Sequence, residues 1–102
     1  MTKAEITASA RIFAQLQIVL GKNNAADIEN AARFPIKLMT VYNKEAFARH
    51  VLTEKVQQFL SKEYSTFTYE SFESAINEPL SLPDQGIWQL AYLKAKQELG
   101  AA

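Results

Sequence analysis

The sequence predicts an all-α fold, a small bundle of four to six helices. Over long stretches apolar residues recur at spacings of three and four, as they do along one face of an amphipathic helix. Glycine and proline number only three each in 102 residues, whereas strands joined by tight turns need more of both. Recognisable helix start and stop residues flank several of these stretches. The length fits one domain, so we expect residues 1–102 to form a single helical bundle.

The first two helices are predicted at the N-terminal end. The first runs from about Thr2 to Leu20 and stops at Gly21, because glycine readily ends a helix. The apolar face of the first helix comprises Ile12, Phe13, Leu16, Val19 and Leu20. A short second helix is predicted from Ala25 to Arg33, with Asn24 as its N-cap.

The middle of the chain is predicted to hold one or two further helices. Pro35 suits the first turn of a helix that extends to about Tyr42. A longer helix is predicted from Lys44 to Lys62, either capped by Asn43 or continuous with the preceding one. Its apolar face would comprise Ala48, Leu52, Val56, Phe59 and Leu60.

The segment from Glu63 to Leu80 is the least regular part of the pattern. We expect Thr68 to cap one or two helical turns that reach Ile76. These turns should bury three apolar side chains, namely Phe67, Phe72 and Ile76.

The last helix has the clearest start signal, a serine cap followed by proline and, three residues after the cap, an acid in Ser81-Leu82-Pro83-Asp84. It is predicted to run to Leu99 and to stop at Gly100. One wide apolar stripe comprises Ile87, Trp88, Ala91, Tyr92, Ala95 and Leu99. A second stripe, nearly opposite, comprises Leu82, Leu90 and Leu93. Two apolar sides place this helix either at the centre of the bundle or against a partner; we favour the centre.

Composition excludes several classes of protein. The chain has no cysteine, which excludes a disulfide scaffold, a thiolate metal site and a cysteine nucleophile. The N-terminal residues do not form a signal-peptide pattern, and no apolar run approaches the roughly 20 residues that cross a bilayer. We therefore expect a soluble, cytoplasmic protein without a membrane partner.

No pattern of catalytic residues is apparent. His50 is the only histidine, and it falls in the middle of a predicted helix, far from any nucleophile motif, so we interpret it as a bystander. Four carboxylates fall at helical spacing, at Glu63, Glu70, Glu73 and Glu78, and we interpret them as a solvated acidic segment. We expect a binding protein that is not an enzyme and that needs no metal or cofactor.

Charge is unevenly distributed although the formal net charge is zero. Residues 1–62 carry nine Lys or Arg and five Asp or Glu, whereas residues 63–84 carry five acids and no base. This asymmetry indicates either a basic binding face beside an acidic one, or chance solvation of the surface. Both interpretations stay open.

Six basic residues are candidates for contacts with nucleic-acid phosphates: Arg33, Lys37, Lys44, Arg49, Lys55 and Lys62. Lys44, Lys55 and Lys62 would follow one line along the predicted long helix. That line flanks apolar surface, so the lysine stems could instead lie along the edge of a packed helix, an interpretation that we favour slightly. The aromatic residues Tyr42, Tyr64, Tyr69 and Trp88 could stack on bases if exposed, but we expect them in the core.

Three segments together resemble one family. RIFAQLQ (Arg11 to Gln17), FPIKL (Phe34 to Leu38) and LSLPDQGIWQLAYLKAKQEL (Leu80 to Leu99) are similar, in the same order, to segments of the C-terminal helical domain of the type I-C CRISPR Cascade large subunit. That region is also made as a separate small subunit. The run from Ala91 to Lys94 departs from the Gly-Tyr-Tyr-His-type run of the family, and the acidic segment around Glu63 to Glu78 resembles an insertion or a replaced connection.

The resemblance implies a non-catalytic role in an RNA-guided complex. Such small subunits contact neighbouring subunits and support target DNA and the displaced strand, while base pairing with the guide RNA reads sequence. Copies stacked side by side would then self-associate. A second hypothesis is a pure protein-interaction module, such as a phage-encoded inhibitor or adaptor, that binds no nucleic acid and turns its acidic segment towards a basic partner.

Overall fold

A computed structural model describes residues 1–100 and shows six helices within them. The helices are α1 (Lys3–Leu20), α2 (Ala25–Arg33), α3 (Pro35–Ala48), α4 (Glu54–Tyr64), α5 (Tyr69–Asn77) and α6 (Leu82–Glu98). No strand occurs among the described residues. The prediction of a small all-α bundle of four to six helices is confirmed.

Helix α1 lies at the centre of the bundle. It packs against α6, α3 and α4, while α2 packs on α3 and α6, and α5 packs on α3. Eleven of the eighteen residues of α1 are buried. Small side chains on several sides of α1, Ala8, Ser9, Ala10 and Ala14, let neighbouring helices approach closely.

Aromatic rings fill the core around Phe13. Its ring centroid lies 4.7 Å from that of Tyr42, 5.6 Å from that of Trp88 and 6.0 Å from that of Tyr92. Rings at such separations pack favourably in tilted arrangements. Phe13 therefore joins α1 to both α3 and α6.

Side chains cap five of the six helix N-termini. Thr2, Asn24, Thr53, Thr68 and Ser81 each accept a hydrogen bond from a backbone N–H of the first turn. Pro35 begins α3 instead. Gly21 adopts a left-handed φ of 66° and ends α1. The predicted caps Asn24, Thr68 and Ser81 are confirmed.

The predicted long helix from Lys44 to Lys62 is wrong. Helix α3 continues past Tyr42 to Ala48, the chain turns, and α4 begins at Glu54. His50 lies in this turn with a φ of 55°, which no α-helical residue adopts. The apolar residues assigned to one helix face therefore belong to two helices and their connection.

Two predictions of burial are also wrong. Helix α6 is not central, because Leu82, Leu90 and Leu93 are all exposed while Trp88 and Tyr92 face α1. Ile76 is exposed as well, although α5 itself forms where Thr68 predicted it. Phe67 and Phe72 are partly buried against the core, as expected.

None of the helices in residues 1–100 combines the length and the apolar character needed to cross a bilayer.

Candidate nucleic-acid and partner-binding surfaces

Helix α3 turns a mixed basic and apolar surface to solvent. We call it the α3 outer face; it comprises Lys37, Thr40, Val41, Lys44 and Phe47, all of which are exposed. Lys37, Val41 and Lys44 are spaced by four and three residues and therefore lie along one side of the helix. Lys37 and Lys44 are seven residues apart, so their backbones lie about 10 Å apart along the helix axis, at a rise of about 1.5 Å per residue.

Arg33 extends this basic surface beyond the start of α3. Its guanidinium carbon and the Lys37 ammonium nitrogen each lie 5.9 Å from the centroid of the Phe34 ring. Both cations are attracted to the same ring, which keeps them in one region of the surface despite their like charge. Phe34 and Pro35, which separate α2 from α3, thus bring two of the predicted basic residues together.

The α3 outer face contains no carboxylate. Glu45 is the one acidic residue of α3, and its oxygens lie 2.7 Å from the Lys22 ammonium and 3.7 Å from the Arg49 guanidinium. Within residues 1–100, Arg33, Lys37 and Lys44 form no ion pair. Their positive charge is therefore available to an anionic ligand.

Arg49 has a structural contact instead. Its guanidinium donates a hydrogen bond of 3.4 Å to the backbone carbonyl of Leu20, in addition to its ion pair with Glu45. A cation next to the last carbonyls of a helix interacts favourably with the helix dipole. Arg49 thus helps to hold the end of α3 against the end of α1.

Lys55 and Lys62 lie on a different helix from Lys44. Both are exposed on α4, seven residues apart and so on one side of that helix. Lys55 borders an open groove of about 270 Å³ that is lined by Gln15, Val56, Phe59 and Leu99. The single line of three lysines does not exist, and only Arg33, Lys37 and Lys44 remain grouped.

Sequence reasoning missed Val41 and Phe47 as members of the basic surface. Phe47 is 69% exposed and Val41 is 53% exposed. Their spacing to Lys37 and Lys44 would have placed all four on one face, had α3 been extended to Ala48. An exposed phenyl ring three residues after Lys44 offers a base-stacking surface beside phosphate contacts.

The acidic residues divide between structure and surface. Glu63 accepts a hydrogen bond of 2.9 Å from Arg11, and Glu98 accepts one of 2.7 Å from the same guanidinium. This clamp joins α1, α4 and α6. The hydrogen bonds from Arg11 lower the pKa of Glu98, and those to Glu98 and Glu63 raise the pKa of Arg11.

Helix α5 presents an acidic and apolar surface, the α5 outer face, which comprises Tyr69, Glu70, Glu73 and Ile76. Tyr69 is 78% exposed. The two carboxylates make no ion pair within residues 1–100. Glu70 and Glu73 face solvent, as the interpretation of a solvated acidic segment predicted, and they do so from a helix.

Three of the four aromatic candidates for base stacking are wholly or partly buried. Tyr42 and Trp88 belong to the core, and the Tyr42 hydroxyl donates to Asp27 at 2.5 Å. Burial raises the pKa of Tyr64 to about 12. Only Tyr69 of the four is exposed, so the expectation of core positions is confirmed for Tyr42 and Trp88 and is wrong for Tyr69.

No group of three His, Asp or Glu side chains within residues 1–100 is placed to hold a metal ion. His50 is exposed in the turn after α3 and not in the middle of a helix. Comparisons of the chain with protein families, with characterised proteins and with solved structures find no match.

Proposed function

We propose that this protein is a non-catalytic small subunit of a CRISPR RNA-guided surveillance complex, a Cascade complex, in the cytoplasm. In this role the α3 outer face, together with Arg33, contacts the backbone of target or displaced-strand DNA. Other surfaces contact neighbouring subunits that hold the guide RNA. The resemblance in sequence suggests the complex, and the α3 outer face suggests the ligand.

The carboxylate-free character of the α3 outer face is the observation that carries the proposal. Within residues 1–100, Arg33, Lys37 and Lys44 form no ion pair. Exposed Val41 lies between the two lysines, and exposed Phe47 follows Lys44 by three residues. Phosphates attract such cations without regard to sequence, and an exposed ring stacks on any base. Single-stranded DNA satisfies both kinds of contact.

Charge reversal tests the DNA contact. In a fluorescence-anisotropy titration with a single-stranded oligonucleotide, Lys37→Glu/Lys44→Glu should weaken binding. Loss of two phosphate contacts should reduce the slope of log K against log salt by about 1.4. The matched control is Lys55→Glu/Lys62→Glu, which changes the net charge equally but on α4. Equal losses in both variants would mean that only net charge matters and would refute the α3 site.

Purification from the native host tests the complex. The tagged protein should recover a uniform short RNA together with a set of larger subunits. Recovery of the free protein, or of one unrelated partner without RNA, would contradict membership of such a complex even if the isolated protein binds DNA.

A protein-interaction module that binds no nucleic acid is the second candidate. The α5 outer face favours it, because this face combines apolar side chains with negative charge. Exposed Tyr69 and Ile76 lie on either side of the two carboxylates. Glu70→Lys/Glu73→Lys separates the two functions. Loss of partner binding without any change in DNA affinity supports the module, whereas unchanged partner binding or tighter DNA binding supports the first proposal.

A further inference from the structure

Helix α6 carries a line of exposed leucines, which we call the α6 leucine stripe. Leu82 is 80% exposed, Leu90 is 72% exposed and Leu93 is 58% exposed. Gly86 lies on the same side of the helix, four residues after Leu82 and four before Leu90. The opposite side of α6 already packs on α1 through Trp88, and no part of residues 1–100 covers this stripe.

Gly86 has no role inside the chain. It is helical with an ordinary negative φ, and a Cβ built on it meets no atom within 4 Å. Glycine inside a helix costs about 1 kcal/mol relative to alanine. The missing side chain leaves a gap in the surface of α6, which we call the Gly86 notch. This gap favours close approach by another molecule at this point of α6.

An open groove of about 520 Å³ adjoins one end of the stripe. Leu93 forms part of its wall, together with Ile18, Ile28, Tyr92 and Lys96. The groove therefore offers a mostly apolar recess next to the C-terminal half of α6. A single large apolar side chain from another molecule could enter it.

The stripe is self-complementary when two copies of α6 run antiparallel. With a two-fold axis at the level of residue 88, Leu90 of each copy lies at the level of Gly86 in the other. Leu82 then lies within one residue, about 1.5 Å, of the level of Leu93 beside the groove. Leu90 thus meets the open site at Gly86, Leu82 meets Leu93 at the edge of the groove, and the stripe contains no charged residue that would face its own copy.

We propose that a second copy of this chain docks on the α6 leucine stripe, forming a two-fold symmetric dimer with antiparallel α6 helices. Symmetric contacts of this type use one patch on both subunits. The patch consists of three exposed leucines beside one groove, whereas stable complexes bury about 800 Å² per partner. We therefore expect a weak dimer, with Kd on the order of 0.1–1 mM. The proposal does not depend on DNA binding, because α6 carries it.

Sedimentation equilibrium over a concentration series tests the dimer. The weight-average mass should rise towards that of two chains near the expected Kd, and Leu90→Glu should weaken association roughly tenfold or more. Phe47→Glu on α3 is the matched control, since it places the same charge on an equally exposed apolar site. A mass of one chain up to about 1 mM, or equal effects of the two variants, would overturn the proposal.

Gly86→Leu separates docking from folding. The site is open within one chain, so the variant should fold with an unchanged or higher thermal midpoint because leucine favours helix. By filling the notch that receives Leu90, it should still raise Kd roughly tenfold. A folded Gly86→Leu variant that associates as the native protein does would show that the notch is not at the interface.

The orientation has its own test. The chain has no cysteine, so Gln89→Cys introduces one thiol near the proposed axis, where it should face its own copy. Mild oxidation should give a covalent dimer far faster than for Lys44→Cys on α3. Equal rates for the two variants would exclude the antiparallel α6 contact.

Discussion

His50 occupies a position where glycine is the usual residue. The N–H of Val51 donates to the carbonyl of Ala46, and the N–H of His50 donates to that of Phe47. This pair of hydrogen bonds defines a Schellman motif, whose left-handed residue here is His50. Residues with a Cβ pay about 1–2 kcal/mol for this conformation.

We expect His50→Gly to stabilise the protein by about 0.5–1 kcal/mol, since glycine relieves this strain but gains entropy in the unfolded chain. His50→Ala should lie within about 0.5 kcal/mol of the native protein, because alanine has the same Cβ. Urea denaturation of the three proteins gives both differences. A stabilising His50→Ala would mean that the imidazole, and not the left-handed backbone conformation, destabilises the native protein.

Glu5 is a buried carboxylate with two hydrogen-bond partners. It completes the cap of α1 by accepting from the backbone N–H of Thr2, and it accepts from Ser71 of α5. Burial acts to raise the pKa of Glu5, but the hydrogen bonds from Ser71 and Thr2 outweigh it and lower the pKa below 4.5.

A lowered folded-state pKa gives stability that is present above the unfolded value and is lost as the pH falls through the folded value. Between about pH 5 and pH 3, the free energy of unfolding of the native protein should therefore fall more steeply than that of Glu5→Gln. Parallel slopes would show that Glu5 gains nothing from its partners. Each slope against pH is measured within one protein. A uniform loss of stability in Glu5→Gln therefore does not change the comparison of the two slopes.

At the scale of the helix, the contact of α1 with α6 contains a buried polar pair. The hydroxyl of Tyr92 donates to the side-chain oxygen of Gln17, and both residues are buried. Removing one partner leaves the other without its hydrogen bond, whereas removing both is far less costly.

Gln17→Met and Tyr92→Phe should each destabilise the protein by about 1–3 kcal/mol, and the double variant by less than the sum. Chemical denaturation of the native protein, the two single variants and the double variant gives the four free energies of unfolding of this double-mutant cycle. Additive losses would mean that the two side chains do not interact.

Helix boundaries were predictable where the residues themselves mark them. Asn24, Thr68 and Ser81 are ordinary N-caps, and Gly21 is an ordinary stop. The end of α3 was not predictable, because the left-handed residue is His50 and not glycine. The predicted helix from Lys44 to Lys62 placed Lys44 on one line with Lys55 and Lys62, so two of the six candidate residues were assigned to the wrong surface.

At the scale of the whole molecule, the central position of α1 was not predictable from its apolar pattern. Ala10 and Ala14 add little hydrophobicity, yet their small size is what allows helices to approach α1 from several sides. The leucines of α6 give that helix apolar residues on two sides, and this pattern made it the better candidate for the centre. A sequence states which side chains are apolar, but not which of them another helix will cover.

Phe13 should carry a large share of the stability, since it packs against rings from both α3 and α6. Phe13→Ala should cost about 3–5 kcal/mol, and Phe47→Ala, at an exposed site, within about 0.5 kcal/mol. Both losses are measured by comparing the denaturation midpoints of the two variants with that of the native protein. Similar losses would indicate that Phe47 also belongs to a packed region.

The closest partner of α1 is α6, and nearly the whole sequence separates them. Their pairing closes the longest loop in the chain, a step that slows folding relative to a bundle of sequential neighbours. During synthesis, the side of α1 that α6 covers stays exposed until α6 has been made. This interval is when the protein is most exposed to aggregation and to chaperones.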